Sequence, residues 1–234
     1  GGAGAGLGQG GGMRGYFITG TDTGIGKTRV AVALLHALRQ QGKPALGFKP
    51  VASGCDATAA GLRNPDALAL QAAGTRALPY ALVNPYAFAP PIAPHLAAAR
   101  DGVVIDIRRI RDDIASARPE WAVVEGVGGW LVPLNPRETV ADLAAVLGLP
   151  VVLVVGLRLG CLNHALLTAA AIRARGSSLA GWVANLIDPA FADAPANIEA
   201  LQARLDAPLL AQLPWDVAAA PRDLADRFRL PVTD

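Results

Sequence analysis

The stretch Gly15-Tyr-Phe-Ile-Thr-Gly-Thr-Asp-Thr-Gly-Ile-Gly-Lys-Thr28 decides how the rest of the chain is read. Residues 15–19 are a short aromatic and β-branched run that suits a buried strand. A glycine-rich turn follows. Over 27–41, Val30, Ala33, Leu34, Ala37 and Leu38 recur three and four apart, the spacing of one helix face, and Gly42 ends the pattern. A strand, a turn closing in Gly-Lys-Thr, and a helix are the context in which backbone N–H groups point inward and join the helix N-terminus as an anion site. Lys27 then supplies charge for β- and γ-phosphates, and Thr28 a hydroxyl for Mg²⁺. The loop is expected to be exposed. Its spacing departs from the common pattern: Thr21 stands where the first glycine belongs, and Gly20 lies one residue earlier. A plain glycine turn at an ordinary strand–helix junction leaves the Gly-Lys-Thr ending unexplained.

The same alternation continues. Residues 45–48 read as a strand, 66–73, 92–100 and 106–117 as helices, and 121–125 (WAVVE) as a buried strand ending in an acid. A helix over 140–147 stops at Gly148. It is followed by a wholly apolar strand over 151–155, of the kind parallel sheets bury on both faces. Then come a helix over 163–175, a strand over 179–185, a helix over 194–205 and a strand over 208–213, with helical character over 216–228. Alternating strands and helices predict an α/β fold, a P-loop NTPase-type parallel sheet with helices on both faces. Ligands of such sheets sit beyond the carboxyl ends of the strands. The polar residues at 21–28, 49–53, 125–129, 156–163, 185 and 214–215 are therefore expected along one edge. Residues 13–234 read as a single domain starting at Met13. Residues 1–12 read as a disordered Gly-rich tail, in which Gly6, Gly8 and Gly11 match G-x-G-x-x-G without the strand and helix that motif needs.

With 52% apolar residues in 234, the chain can build a large core without staples. Aromatics at 5% and a net charge of +2 without like-charge runs argue against nucleic acid or an anionic membrane as partner. No apolar stretch reaches the roughly 18 residues of a membrane-spanning helix. No basic-then-apolar leader is visible. Cys55 and Cys161 have neither metal spacing nor a disulfide framework. A cytoplasmic protein with two reduced thiols is the expectation.

A phosphate loop needs a carboxylate near its metal from a neighbouring strand. Glu125 closes WAVVE and is followed by Gly126, Gly128 and Gly129, whose small size lets backbone approach phosphate. The loop's demand for a partner favours the metal role over a turn-capping acid. Asp66 opens DALALQAAG and, taken alone, reads as a helix N-cap. Lys49 leaves the second strand beside Pro50. It is either a charge aimed at a transferring phosphoryl group or a solvated surface lysine. Gly160, Cys161, Leu162 and Asn163 precede a helix after a buried strand. They offer a second N-terminus for an anion such as a carboxylate, or a routine N-cap at Asn163. His164 reads as a first-turn helix residue, and His95 has no partner at a diagnostic spacing.

Several stretches, taken together and in order, resemble the dethiobiotin synthetase family. They are FITGTDTGIGKT (17–28), GFKPVASG (47–54), GLRNPDALALQ (61–71), VNPYAFAPPIAPH (83–95), VVEGVGGWLVPL (123–134), LPVVLVVGLRLGCLNHALLT (149–168), LAGWVANLI (179–187) and PLLAQLPW (208–215). KPVASG, EG-x-GG and LGC-x-NH carry most of the specificity. The family uses one extra residue in its loop, so the departure at Thr21 becomes part of the likeness. The resemblance implies a P-loop α/β enzyme, usually a homodimer, converting 7,8-diaminononanoate, CO₂ and ATP to dethiobiotin, ADP and phosphate in biotin synthesis. It implies Lys27 and Thr28 as phosphate and Mg²⁺ residues, Asp66 and Glu125 as Mg²⁺ carboxylates, and Lys49 with Lys27 as catalytic lysines. It implies ATP contacts from Gly24, Ile25, Gly26, Arg29, Gly126, Val127 and Gly128, and an adenine pocket of Asn185, Pro214 and Trp215. Thr23 and Ser53 would meet the diamine. Gly160, Cys161, Leu162 and Asn163 resemble the stretch that receives its carboxylate, supplied from the neighbouring subunit. Asp66 thereby changes from helix cap to metal ligand. Gly24 and Ile25 stand where relatives often carry Glu and Val, Arg158 stands where Lys is common, and residues after Trp215 show no match.

Two rivals share the loop. One is a cobyrinate amidating synthase without its glutaminase part. The other is a partitioning or positioning ATPase of the MinD/ParA type. The latter carries an additional lysine early in the loop, a place held here by Gly20, Thr21 and Asp22.

Overall fold

The computed structural model describes residues 13–216 and 218–230, so the segment 1–12 read as a tail lies outside them. In chain order the elements are β1 (Gly15–Gly20), α1 (Lys27–Gln40), β2 (Ala45–Phe48), β3 (Val51–Ser53), β4 (Asp56–Thr58), β5 (Gly61–Arg63), α2 (Pro65–Ala73), α3 (Tyr80–Val83), β6 (Tyr86–Phe88), α4 (Pro94–Arg100), α5 (Ile107–Ser116), β7 (Trp121–Glu125), α6 (Val140–Leu147), β8 (Val151–Leu157), α7 (Cys161–Ala174), β9 (Leu179–Leu186), α8 (Ala194–Gln202), β10 (Leu209–Leu213) and a 3₁₀ segment (Pro221–Arg227).

Six strands pair in the order β10, β9, β8, β1, β7, β2, every pairing parallel. β1 lies between β8 and β7. Ile18 stands opposite Glu125, and Phe48 opposite Val124. The carboxyl ends of β1, β7 and β2 thus finish nearly level, and the residues that follow them reach one edge. β7 and β8 are buried at every position because both sheet faces are covered. Alternation along β1 sends Tyr16 and Ile18 into a core with α1, and Phe17 into the opposite core with α5 and α6. Leu153, Val155, Trp182 and Ala184 form a third cluster with α7 and α8. Among the described residues, no helix is long and apolar enough to cross a membrane.

The α/β expectation holds, with local corrections. A parallel pair, β3 with β6, and a hairpin, β4 with β5, extend beyond β2. Three-residue strands are too short to show a period. α2 is capped by Asn64, whose side chain accepts from the Ala67 amide at 3.1 Å, not by Asp66. Pro65 occupies the first helical position, which its fixed φ favours, and leaves Asp66 in the first turn. α7 starts at Cys161, not at 163, and its N-cap is Gly160 with φ +93°. Asn163 lies inside the helix. The helical 216–228 segment is a 3₁₀ turn beginning at Pro221.

Candidate active site

The β1–α1 turn ends at Gly26, whose φ is +85° and whose hypothetical Cβ would stand 2.3 Å from Asn185 Nδ2. A side chain is excluded there on both counts. Gly26 caps α1 without a side-chain acceptor, and the first turn of α1 carries no acid. Its leading N–H groups and positive dipole end therefore suit an external anion. Lys27 is not on an exposed loop. It is buried, folding back so that Nζ donates to the Asp22 carbonyl at 3.1 Å. Burial, and next the neighbouring Lys49 ammonium, lower its pKa to about 8 against the opposing pull of Glu125, Asp66 and Asp22.

Glu125, 1% exposed, ends β7. Its Oε1 accepts from Lys49 Nζ at 2.6 Å and from the Thr28 hydroxyl at 3.0 Å, while Oε2 is buried without a partner. Lys49 Nζ also donates to the Gly126 carbonyl at 3.0 Å and lies 3.8 Å from Asp66 Oδ2. The Asn84 amide donates to the Lys49 carbonyl at 2.8 Å, and the Lys49 amide to Val83 at 2.9 Å. Lys49 is thus a buried, backbone-fixed cation and not a surface charge. Lys27, Lys49, Asp66, Glu125 and Thr28 line one cleft of about 720 Å³, with Thr23, Gly24, Ser53, Val127 and Gly128 around them. Ser53 Oγ is buried there without a partner.

Other expected residues stand apart. Ile25 is buried beneath the turn. Asn185, Pro214 and Trp215 lie outside the cleft, where Arg29 joins the first two. Gly160, Cys161, Leu162 and Asn163 do not line the cleft either. Arg158, just before them, reaches Asp22 Oδ2 at 2.5 Å and ties that loop to the β1–α1 turn. The Thr23 amide, and with it Arg158, holds the Asp22 carboxyl below its ordinary range. Sequence reading missed the tasks of Asn84, Asp22 and Arg158. The Arg158–Asp22 partners are 136 residues apart, so no linear signal marks them.

Comparison with known proteins places the chain in a family. The family described as "AAA domain" matches residues 14–222. An ATP-dependent dethiobiotin synthetase BioD from Pseudomonas paraeruginosa is 54% identical over 221 residues, covering 93% of this chain and 97% of that protein. The same enzyme from Aromatoleum aromaticum is 54% identical over 220 residues, covering 93% and 98%. Among solved structures, the MinC:MinD complex of Aquifex aeolicus superposes with a TM-score of 0.57 at 15% identity, over 94% of this chain and 98% of that one. MinD of Pyrococcus horikoshii with Mg-ADP gives 0.55 at 18%, over 92% and 87%. These two likenesses concern the fold alone. With identity above half along almost the entire length of both partners, the chain belongs to the ATP-dependent dethiobiotin synthetases.

Proposed function

We propose that the chain joins 7,8-diaminononanoate, CO₂ and ATP to give dethiobiotin, ADP and phosphate. The observation that supports this most is the meeting of two lysines, two carboxylates and a hydroxyl beside an uncapped helix N-terminus. The phosphates of ATP rest on the N–H groups of 24–28 and on Lys27. Thr28, Asp66 and Glu125 suit Mg²⁺, because Glu125 Oε2 is a buried oxygen without a partner and Asp66 is half exposed to the cleft. Among the described residues no group of three His, Cys, Asp or Glu could hold a metal. Mg²⁺ keeps several waters and manages with fewer protein ligands. Bound there, it supplies charge neutralisation at the phosphoryl oxygens.

One substrate amine takes up CO₂ as a carbamate. A carbamate oxygen attacks the γ-phosphorus, releasing ADP and leaving a carbamic–phosphoric anhydride. The second amine attacks the activated carbonyl carbon, closes the five-membered urea and expels phosphate. Such transfers rest on positioning and charge stabilisation. Lys27 and Lys49 supply the charge, and Ser53 and Thr23 meet the diamine. The substrate carboxylate is received at the N-terminus of α7, around Gly160, Cys161, Leu162 and Asn163, from a second copy in a homodimer. The deciding assay supplies ATP, Mg²⁺ and bicarbonate with or without the diamine. Phosphate release that requires the diamine and matches dethiobiotin formed is the expected result. Hydrolysis driven by a membrane or DNA, and indifferent to the diamine, would favour the MinD/ParA reading.

Lys27 gives nucleotide binding a pH signature. In the free protein its pKa of about 8 leaves it half neutral at pH 8. A bound triphosphate favours the ammonium and raises that pKa. Binding at pH 8 is expected to take up about half a proton at this residue, and affinity to fall as pH rises through that value. Calorimetry in two buffers of different ionisation enthalpy measures the uptake. No uptake at pH 8 would remove Lys27 from phosphate contact.

A further inference from the structure

We propose, building on the reaction proposed above, that Tyr80 is a positioning residue whose hydroxyl, outside the cleft, fixes the spacing of Lys49 and Asp66 within it. Asp66 does not fix itself. Its side chain is 46% exposed, and its 3.8 Å distance to the Lys49 ammonium is too long for a hydrogen bond. Its place therefore follows from where α2 begins. That start is Asn64, whose Oδ1 caps the helix and whose own N–H donates to the Tyr80 hydroxyl at 2.8 Å. The hydroxyl donates in turn to Asn84 Oδ1 at 2.9 Å. Asn84 Nδ2 donates to the carbonyls of Lys49 at 2.8 Å and Tyr86 at 3.2 Å. One phenol oxygen thus joins the start of the Asp66 helix to the backbone of Lys49.

This series of bonds has one direction. Asn84 Nδ2 faces two carbonyls, so a flipped amide would set oxygen against oxygen at both. Oδ1 is left to accept the phenol proton, and the phenol oxygen accepts from Asn64 through a lone pair. Asn64 and Asn84 are 6% and 3% exposed, so a lost partner there is not replaced by bulk water. The Arg63 guanidinium lies over the Tyr80 ring, 4.3 Å from its centroid. Phenylalanine keeps the ring and that contact, and removes only the joint. Neither Tyr80 nor Asn84 lines the cleft, so any effect of the hydroxyl on the site passes through Lys49 and Asp66.

The test uses the full chain, with Mn²⁺ in place of Mg²⁺ so that free metal is read by electron paramagnetic resonance. With ATP and without diamine, Y80F should need about tenfold more Mn²⁺ for half-saturation, the scale on which groups that orient metal ligands act. Binding of ATP without metal should keep the parent's affinity, because the phosphate turn is untouched. Added to D66N, Y80F should shift the Mn²⁺ requirement no further. With the diamine, single-turnover phosphoryl transfer should slow about tenfold in Y80F, and no further when Y80F is added to Lys49→Met. A tyrosine that only holds the fold together would act alike in every background. An unshifted Mn²⁺ requirement, an equal loss of metal-free ATP binding, or a shift that persists in D66N overturns the proposal. If Y80F does not fold, N84A, which frees the same hydroxyl, takes its place; if neither folds, the network serves folding and the proposal falls. No diamine enters the metal measurement, so a chain that behaves as expected there yet ignores the diamine refutes the proposed reaction and leaves Tyr80's role standing.

Discussion

Lys49→Met is expected to slow diamine-dependent phosphate release roughly 10³-fold, the scale seen when one preorganised charge-stabilising donor is removed. The same substitution should destabilise the fold, and the two effects have separate causes. Lys49 and Glu125 form a pair 2.6 Å apart in which neither side chain exceeds 6% exposure. Deleting one member leaves the other charge buried and uncompensated, which costs about 3–5 kcal/mol. Glu125→Gln in the same chain removes the stranded charge, so the double variant should recover much of that stability. It should recover no activity, because the ammonium proposed to face the transferring group is still missing. Urea unfolding and single-turnover phosphoryl transfer on the single and double variants read the two effects apart. A Lys49→Met enzyme within tenfold of the parent would remove Lys49 from the reaction. A double variant as unstable as the single would show that the pair is not the source of the loss.

Why Lys49 needs the structure is instructive. Nothing within GFKPVASG says whether the lysine is wet or dry; that depends on Glu125, 76 residues further on. Parallel strands were legible because burial on both faces writes them as unbroken apolar runs, as in WAVVE and VVLVVGL. From those runs, the gathering of the 21–28, 49–53 and 125–129 segments at one edge followed from topology alone. Caps were less legible. Asn163 has the right side chain for an N-cap, yet Gly160 takes the position through a left-handed φ and leaves the N-terminus of α7 without a side-chain cap. Gly26 does the same for α1. Both helices forgo a local stabiliser at the ends proposed to receive anions, which is where local rules are expected to fail. Asp66 was obscured for the opposite reason. Its neighbour Asn64 caps the helix, and that division of labour between two good capping residues is visible only in three dimensions.

Lys27→Met should abolish nucleotide-dependent turnover and, at the same time, make the protein without nucleotide more heat-stable. Lys27 is 7% exposed, and its pKa is lowered from 10.5 to about 8, chiefly by burial. Below pH 8 both folded and unfolded chains carry the ammonium, and the folded state bears the full penalty. Between pH 8 and 10.5 the unfolded chain binds the extra proton, so stability rises with pH across that window. The shift corresponds to roughly 3 kcal/mol. Loss of the hydrogen bond to the Asp22 carbonyl returns about 1 kcal/mol. A net gain of about 2 kcal/mol should raise Tm by about 4–8 °C for a chain of this size at pH 7, and the gain should shrink towards pH 10. Adding Mg-ATP should raise the parent's Tm far more than the variant's, because the charge that is costly without nucleotide is the one proposed to grip the phosphates. Thermal melts across pH, with and without nucleotide, check every part. A variant that melts below the parent at pH 7 would mean that the ammonium stabilises the empty site. A variant that still gains Tm from Mg-ATP as the parent does would mean that the triphosphate is held without it.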